Sequence, residues 1–322
     1  MSQQQKEPFL QTRGVVLIPE DLSLADWPER AKAAGLNTIA LHPFPAKAME
    51  FVRSEAGQAF LALCRKLGLQ VEYELHAMRE LLPRELFARN PELFRVNDQG
   101  GRTPDANLCV HSQQALEIAA ENVVGISRVL HPTTGRYFYW GDDGTPWCRC
   151  AKCRGLSESD QALVLENHLL AALRREDPSA KLAHLAYHNT LYPPREVRPQ
   201  PGIFLEYAPI HRRYDIPYAQ QADDGAPDTL HMLDANLGVF GREEAQVLEY
   251  WLDVSRFSGW KRPGVRIPWA PSVLRADLDT YGSRGIRHLT SFAVWIDRDY
   301  VTAHGEPPVG EYGAALARWQ PG

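Results

Sequence analysis

The stretch Gly35-Leu-Asn-Thr-Ile-Ala-Leu-His42 carries the pattern that decides the fold of this chain. It follows an amphipathic stretch, Leu24–Ala34, and Gly35 stands where the C-terminus of a helix favours glycine. Thr38–His42 is then short, apolar and partly β-branched. Such a run directly after a helix is typical of a parallel strand that is buried on both faces. The stretch therefore predicts one helix–strand unit of an α/β protein.

The same alternation recurs along the whole chain and gives eight units. The eight predicted strands are Gly14–Ile18, Thr38–His42, Leu69–His76, Tyr137–Gly141, Leu182–His188, Ile203–Tyr207, Val265–Trp269 and His288–Trp295. Arg242–Ser255 is predicted as a helix. Eight units without a linker predict a single (β/α)8 TIM barrel over residues 14–322, preceded by a flexible N-terminal segment, residues 1–13. A doubly wound open sheet is the alternative.

The composition narrows the class of protein. The chain has 322 residues, of which 44% are hydrophobic and 23% charged, and its formal net charge is −5. These values are typical of a globular protein, and the acidic balance argues against a nucleic-acid partner. The chain contains no apolar stretch long enough to span a membrane, and Met1–Arg13 lacks the features of a secretory signal. We therefore expect a cytoplasmic protein without a membrane partner. The composition favours no particular oligomeric state.

A barrel enzyme carries its working residues at the C-terminal ends of its strands. The predicted strands bring polar and aromatic side chains to that face, and tryptophan rings stack on sugar rings. We therefore expect a carbohydrate ligand. The side chains predicted to bind it are His42, Glu74, His76, Trp140, Tyr187, His188, Glu206, Tyr207, Trp269 and Trp295.

Two adjacent aspartates, Asp142 and Asp143, follow the aromatic run of the fourth predicted strand. Neighbouring carboxylates repel one another, and this repulsion favours keeping one of them protonated, as a general acid requires. The pair is therefore the candidate catalytic group. A turn that caps a loop is the alternative interpretation of the Asp-Asp-Gly sequence.

The predicted seventh strand bears on the mechanism. Many retaining glycosidases place two carboxylates across the sugar, commonly from the fourth and seventh strands of the barrel. Here the seventh predicted strand ends Arg266-Ile-Pro-Trp269, without a carboxylate. This absence favours substrate-assisted hydrolysis, in which the 2-acetamido oxygen of the ligand attacks the anomeric carbon. Glu206 is the candidate for a second, opposed carboxylate.

A cysteine cluster, Cys148-Arg-Cys150-Ala-Lys-Cys153, indicates a metal site. Three thiolates so close together satisfy most of a tetrahedral zinc site. Cys109, in the loop region after the third strand, is the predicted fourth ligand, and His111 is the alternative. A four-thiolate site leaves no open position, so we expect a structural zinc and no organic cofactor. Reduced thiols without metal are the alternative.

Three stretches resemble the bacterial domain of unknown function 4838 family, whose members are related to glycoside hydrolases and include some endo-β-N-acetylglucosaminidases. They are His76–Ser112, Asp142–Cys153 and Leu185–Ile210, about the middle half of the chain. The resemblance implies a hydrolase-like barrel and identifies Asp143 as the acidic residue after the fourth strand. Asp142 stands where the family usually has Asn. The pair is thereby similar to that of the substrate-assisted O-GlcNAc hydrolases, which implies that Asp142 orients the acetamido group and Asp143 is the general acid/base.

These observations lead to one hypothesis and two alternatives. The hypothesis is a glycoside hydrolase-like enzyme that acts on a β-linked N-acetylhexosaminide or a related sugar. The first alternative is a carbohydrate-binding barrel that uses the same aromatic side chains without catalysis. The second is a metal-dependent hydrolase whose ligands are His42, His76 and His188.

Overall fold

A computed structural model describes residues 8–221, 227 and 229–321, and its centre is a closed barrel of eight parallel strands. The strands are β1 Thr12–Leu17, β2 Thr38–Leu41, β3 Gln70–His76, β4 Arg136–Trp140, β5 Lys181–Ala186, β6 Ile203–Tyr207, β7 Gln246–Glu249 and β8 His288–Phe292. Each strand pairs in parallel with the next along the chain, and β8 pairs with β1. The closed order confirms the predicted (β/α)8 barrel and excludes the open sheet.

Helices connect the strands and cover the barrel. They are α1 Trp27–Ala34, α2 Pro45–Arg53, α3 Glu55–Leu67, α4 Met78–Leu81, α5 Gln113–Val129, α6 Glu158–Leu173, α7 Leu230–Phe240, α8 Val254–Phe257, α9 Pro271–Gly282, α10 Arg298–His304 and α11 Val309–Arg318. Short 3₁₀ helices occupy Pro19–Ser23, Arg84–Ala88, Pro91–Leu93, His188–Thr190 and Tyr218–Gln220. In the outer layer, α5 packs against α6 and α1 against α11.

The seventh strand differs from the prediction. β7 is formed by Gln246–Glu249, inside the predicted helix Arg242–Ser255, whereas Val265–Trp269 forms no strand. Apolar residues recur at three- and four-residue intervals around β7, and this spacing imitates one face of a helix. Four residues are too few to establish the alternation of a strand. The pairing of β7 with both neighbours in the barrel overrides the local pattern.

The fold begins before residue 14. The Phe9 ring packs edge-on against Trp319 with centroids 5.1 Å apart, and Leu10 is buried. The last residues of the predicted N-terminal segment therefore belong to the barrel domain, while residues 1–7 lie outside the described part of the chain. Within the described residues, no helix has the length and apolar character needed to cross a membrane.

Candidate active site

A cavity of about 740 Å³ lies at the C-terminal ends of the strands. This size suits an organic ligand of several rings. Every strand end contributes to the cavity. Its lining includes Ile18, His42, His76, Trp140, Tyr187, Ala208, Tyr250 and Phe292, in the order of the strands.

The floor of the cavity is built from residues that the sequence predicted as ligand-binding. His42, His76 and Trp140 form a cluster in which the ring centroids are 5.1–5.7 Å apart. Tyr187 and His188 line the cavity beside them. The structure thus brings together half of the predicted binding set, because these side chains stand at the ends of β2 to β5 and face inward.

The two floor histidines are held in one tautomer. Nδ1 of His42 lies 2.8 Å from the carbonyl oxygen of Glu74, and Nδ1 of His76 lies 2.7 Å from that of Gly141. Because a carbonyl oxygen only accepts, each Nδ1 carries the hydrogen and the neutral ring keeps Nε2 as an acceptor. Burial lowers the pKa of His42 to about 3, so this ring stays neutral at physiological pH. Such acceptors suit ligand hydroxyl groups.

Glu74 and Glu206 are buried in the barrel interior and do not line the cavity. Trp140 Nε1 donates to Glu206 Oε2 at 2.8 Å, and Gln246 Nε2 donates to Oε1 of Glu206 at 3.1 Å and of Glu74 at 3.2 Å. Burial raises the pKa of Glu206 to about 8. Glu206 therefore fixes the Trp140 ring, and Gln246 links Glu206 to Glu74 beneath the cavity floor.

Three predicted aromatic residues also lie outside the cavity lining. Tyr207 is fully buried. Trp269 lies in the connection before α9, and its Nε1 donates to Glu311 Oε2 at 2.9 Å. The Trp295 ring carries the Arg262 guanidinium at 4.7 Å. The misplaced seventh strand explains Trp269, because no strand end carries that residue to the barrel mouth.

The structure separates the two adjacent aspartates. Asp143 is exposed and lines the cavity. The Asp142 side chain is only 13% exposed, and its Oδ2 accepts from Arg84 Nη2 at 2.7 Å and from the backbone N–H of Asn107 at 2.8 Å. The backbone N–H of Asp142 donates to Asn107 Oδ1 at 2.9 Å. Asp142 therefore ties the loop after β4 to the loop after β3, and an acetamido-orienting role for it stays a prediction.

A second carboxylate, Asp253, lines the cavity and was missed in the sequence. Its side chain is buried, and Oδ1 accepts from Ser255 Oγ at 2.6 Å and from the backbone N–H of Arg256 at 3.2 Å. Burial raises the pKa of Asp253 to about 6, against the effect of these hydrogen bonds. Within the described lining, Asp143 and Asp253 are the only carboxylates. The Asp-x-Ser sequence is a helix-start signal, and it marks the break between β7 and α8.

β7 itself ends in a carboxylate, contrary to the expectation for the seventh strand. Glu249 is fully buried; its Oε1 accepts from Arg212 Nη1 at 2.7 Å and from the Tyr281 hydroxyl. Side chains alternate along a strand, and Gln246 faces the barrel interior, so Glu249 faces the helix layer. The second carboxylate of the cavity, Asp253, therefore comes from the loop after β7 and not from the strand itself.

The four predicted cysteines form one cluster. The Sγ atoms of Cys109, Cys148, Cys150 and Cys153 all lie within 4.8 Å of one another, with 3.9 Å between Cys109 and Cys150 and 3.8 Å between Cys109 and Cys153. A tetrahedral zinc with Zn–S bonds of about 2.3 Å separates its sulfurs by about 3.8 Å. The cluster can therefore hold a metal ion, with Cys109 as the fourth ligand.

His111, the alternative fourth ligand, lies beside the cluster. Its Nδ1 is 3.1 Å from Cys153 Sγ, a hydrogen-bond distance, and the group of four potential ligands consists of the cysteines without His111. Hydrogen bonds from Cys148 and Cys153, together with Arg102, lower the pKa of Cys109. These contacts favour the thiolate form of Cys109, which is the form that a metal binds, while the hydrogen bonds to Cys109 raise the pKa of Cys148 and of Cys153.

The described residues contain no second metal-binding group of three or more ligands, so the alternative with His42, His76 and His188 lacks a ligand set. His188 Nδ1 lies 3.1 Å from His211 Nε2 instead. Burial lowers the pKa of His188, with a further contribution from His211. These imidazoles therefore serve the cavity as separate polar contacts.

The fold and the cavity define the class, a (β/α)8-barrel protein with an enzyme-like pocket at its strand ends. The chain belongs to the DUF4838 family, described as "Domain of unknown function (DUF4838)", which matches residues 7–234. This finding confirms the family resemblance, while the relation to endo-β-N-acetylglucosaminidases stays a prediction. No curated protein sequence matches the chain.

Solved structures similar to this chain include several glycoside hydrolases. The endo-β-mannanase/endo-β-glucanase PbGH26A-GH5A of Prevotella bryantii has a TM-score of 0.50 at 11% identity; the match covers 96% of this chain and 49% of that chain, so this chain spans about half of that protein. The β-amylase catalytic domain of Paenibacillus polymyxa has a TM-score of 0.52 at 10% identity, covering 96% of this chain and 98% of that chain.

A third similar structure is PbGH5A, a glycoside hydrolase family 5 enzyme from Prevotella bryantii B14 in complex with a xyloglucan tetradecasaccharide. It has a TM-score of 0.50 at 10% identity, covering 98% of this chain and 99% of that chain. At such identities the likeness shows the fold alone. The solved structures therefore show a (β/α)8 barrel, and the chemistry of the cavity depends on its own residues.

Proposed function

We propose that this protein hydrolyses a glycosidic bond in the strand-end cavity, with Asp143 and Asp253 as its catalytic carboxylates. The observation that carries the proposal is that these two aspartates are the acidic residues of the described lining. They come from the loops after β4 and β7, which are not neighbours in the closed barrel. A ligand bound between them is flanked by a carboxyl group on each side, as glycoside hydrolysis requires.

The surroundings of the two groups suggest different roles. A pKa of about 6 leaves Asp253 mostly ionised at neutral pH, and the Ser255 hydroxyl and the Arg256 backbone N–H both donate to it. Asp253 thus supplies the anion that faces the reacting sugar. Asp143, as the sequence predicted, donates the proton to the leaving oxygen. In this proposal Asp253 takes the acetamido-orienting role that the family resemblance implies for Asp142, because Asp142 is engaged with Arg84.

The remaining lining suits a neutral, polar ring system. The Trp140 ring offers an apolar face, while the imidazoles of His42 and His76, whose Nδ1 atoms are bound to backbone carbonyl oxygens, present Nε2 to hydroxyl or amide groups. A β-linked N-acetylhexosaminide fits this chemistry, and the family resemblance of the Asp143 loop supports it. In that case the 2-acetamido oxygen of the substrate attacks the anomeric carbon while the bond to the leaving oxygen, protonated by Asp143, breaks. Asp253 stabilises the acetamido group, and water then opens the cyclic intermediate at the anomeric carbon and returns the proton to Asp143.

The test is release of nitrophenol from 4-nitrophenyl β-N-acetylglucosaminide and from a panel of other 4-nitrophenyl β-glycosides. We expect turnover by the wild type and none by the Asp143→Asn, Asp253→Asn double variant. Asp299→Asn, at an exposed aspartate in the first turn of α10, is the matched control and should keep full activity. Binding of sugars without turnover of any glycoside would leave the carbohydrate-binding barrel as the function.

We also propose that the cluster of Cys109, Cys148, Cys150 and Cys153 binds one structural zinc ion per chain. Sulfur separations of 3.8 and 3.9 Å and a ligand set of four thiols support zinc, and such a set leaves no position for substrate. The ion would hold the loops after β3 and β4 against each other. Because Asp143 stands on the second of these loops, the metal would support the site from outside the cavity.

A further inference from the structure

The rim of the strand-end cavity carries an exposed tryptophan that no step of the proposed hydrolysis uses. Trp260 is 64% exposed and lines the same cavity as Asp143 and Asp253. We infer that Trp260 is the stacking platform of an outer sugar subsite, so that the ligand is a saccharide of at least two sugar units. This inference rests on the carbohydrate ligand of the proposed function and adds its chain length and binding position.

The backbone holds Trp260 at this position at a cost. Its φ is 55°, in the left-handed region that side chains other than glycine rarely adopt, and Gly259 before it has a φ of 60°. The Trp260 backbone N–H donates to the Ser255 carbonyl oxygen at 2.8 Å, which closes the loop after α8. Strained backbone persists where the surrounding structure determines it, and it concentrates at ligand sites. Here the strained backbone presents a large apolar ring to solvent at the edge of the cavity that contains the two aspartates.

Further space lies beside the cavity, next to the segment that precedes Trp260. A second depression of about 440 Å³ adjoins it and shares His211 and Arg256 with its lining. Arg256 Nη2 donates to the Ile210 carbonyl oxygen at 2.7 Å, and its guanidinium lies 4.4 Å from the Tyr214 ring centroid. The segment that supplies Arg256 is the one that continues to Trp260. A ligand that occupies the cavity therefore has room to continue past this segment.

The chemistry of an exposed indole identifies the occupant. A pyranose ring has an apolar C–H face, and an aromatic ring that stacks on it gains contact area without desolvating the sugar hydroxyls at the ring edge. Tyr192 and Phe44 are also exposed aromatic residues, at 52% and 40%, but neither lines the cavity. Trp260 is thus distinguished from ordinary surface exposure by its place at the mouth of the carboxylate cavity.

The experiment measures binding by titration calorimetry on Asp143→Asn protein, so that turnover is not needed. The probes are two series of one to four sugar units, β-1,4-linked N-acetylglucosamine oligomers and cello-oligosaccharides. In one of the two series, we expect the oligosaccharides of two or more units to bind more tightly than the monosaccharide. Adding Trp260→Ala should weaken the longer members about tenfold and change monosaccharide affinity less than about twofold. Trp260→Phe should restore most of the loss, and Tyr192→Ala should have no effect.

Several outcomes would overturn the inference. They are equal weakening of mono- and oligosaccharides by Trp260→Ala, no weakening of either, or no binding in both series. The proposed hydrolysis fails separately. If oligosaccharides bind through Trp260 but the wild type cleaves no glycoside, the subsite stands and the hydrolysis does not. If the wild type cleaves an aryl glycoside but Trp260→Ala does not weaken the binding of longer ligands, the hydrolysis stands and the subsite does not.

Discussion

The loops after β4 and β7 each bring an aspartate to the cavity, but they are fixed in different ways. The β4 loop is bound to a distant segment, because Asp142 contacts Arg84 and Asn107 and the cysteine cluster follows. The β7 loop is fixed locally, because Asp253 accepts from Ser255 and from the backbone of the next residue in α8. Damage to the β3 loop should therefore reach Asp143 and leave Asp253 in place.

The two loops also give their aspartates different surroundings. Asp143 stands in the open part of the cavity, whereas Asp253 is buried and has a pKa raised to about 6 by that burial. A charge that is buried and hydrogen-bonded has a fixed position, which suits a group that must stabilise a developing positive charge. An exposed carboxyl group is free to meet leaving groups of different shape. The comparison therefore predicts unlike responses when each aspartate is changed.

The largest effect is expected from Asp253→Asn. Removing the anion should slow hydrolysis on the order of 10²–10⁴-fold for substrates with good and with poor leaving groups alike, since the anion acts on the sugar and not on the leaving oxygen. The measurement is kcat/KM for an aryl glycoside and for a disaccharide. A loss confined to the poor leaving group would reverse the roles of the two aspartates.

The pH profile of the wild type gives an independent check of this role. Asp253 becomes protonated as the pH falls through about 6, so kcat/KM should decline on the acid side with a midpoint near that value. A profile that instead declines as the pH rises through 6 would identify Asp253 as the proton donor.

Asp143→Asn should have a more selective effect. Loss of the proton donor should cost on the order of 10²–10⁴-fold on a poor leaving group, and much less on an activated aryl group that departs without protonation. The measurement is kcat/KM of this variant and of the wild type for a series of glycosides whose leaving groups differ in acidity. Equal losses across the series would remove the acid assignment from Asp143.

Cys150→Ser tests the non-local fixation of the β4 loop. We expect zinc content to fall from one ion per chain towards none and the melting temperature to fall on the order of 5 °C, because the metal joins two loops. Elemental analysis and thermal unfolding provide the measurements. Cys64→Ala, at a buried cysteine outside the cluster, is the control that should keep its zinc. Wild-type protein purified without added zinc and found metal-free would refute the site.

The smallest effect is expected from Asp142→Asn. It removes the ion pair with Arg84, which is partly buried, and should lower the free energy of unfolding by about 1–3 kcal/mol. Activity should decline modestly on both kinds of leaving group as the β4 loop loosens. Unchanged stability together with abolished activity on N-acetylated sugars alone would return the acetamido-orienting role to Asp142.

The two loops also differ in how well the amino-acid sequence predicted them. The β4 loop is rich in local signals, namely an aromatic strand, an Asp-Asp-Gly turn and closely spaced cysteines, and these signals located the loop and its three cysteines. The local sequence signals around the β7 loop are weak. β7 has only four residues and one of its inward side chains is Gln246, so its pattern was interpreted as helical, and Asp253 was hidden inside that helix. The error also placed Trp269 at a strand end.

The sequence by itself determined the barrel, the floor residues His42, His76 and Trp140, and the run of three cysteines, because each depends on periodicity or spacing along a short segment. Cys109 was added to the run because it lies in the loop region after the third strand, next to the β4 loop in a barrel. Only the tertiary structure decided which carboxylates face the cavity. Whether Asp142, Glu206, Glu249 or Asp253 reaches a ligand depends on the direction of a side chain relative to a closed sheet and on partners far away in the chain. Arg84, Trp140 and Arg212 donate hydrogen bonds to the first three, and no local pattern records those contacts.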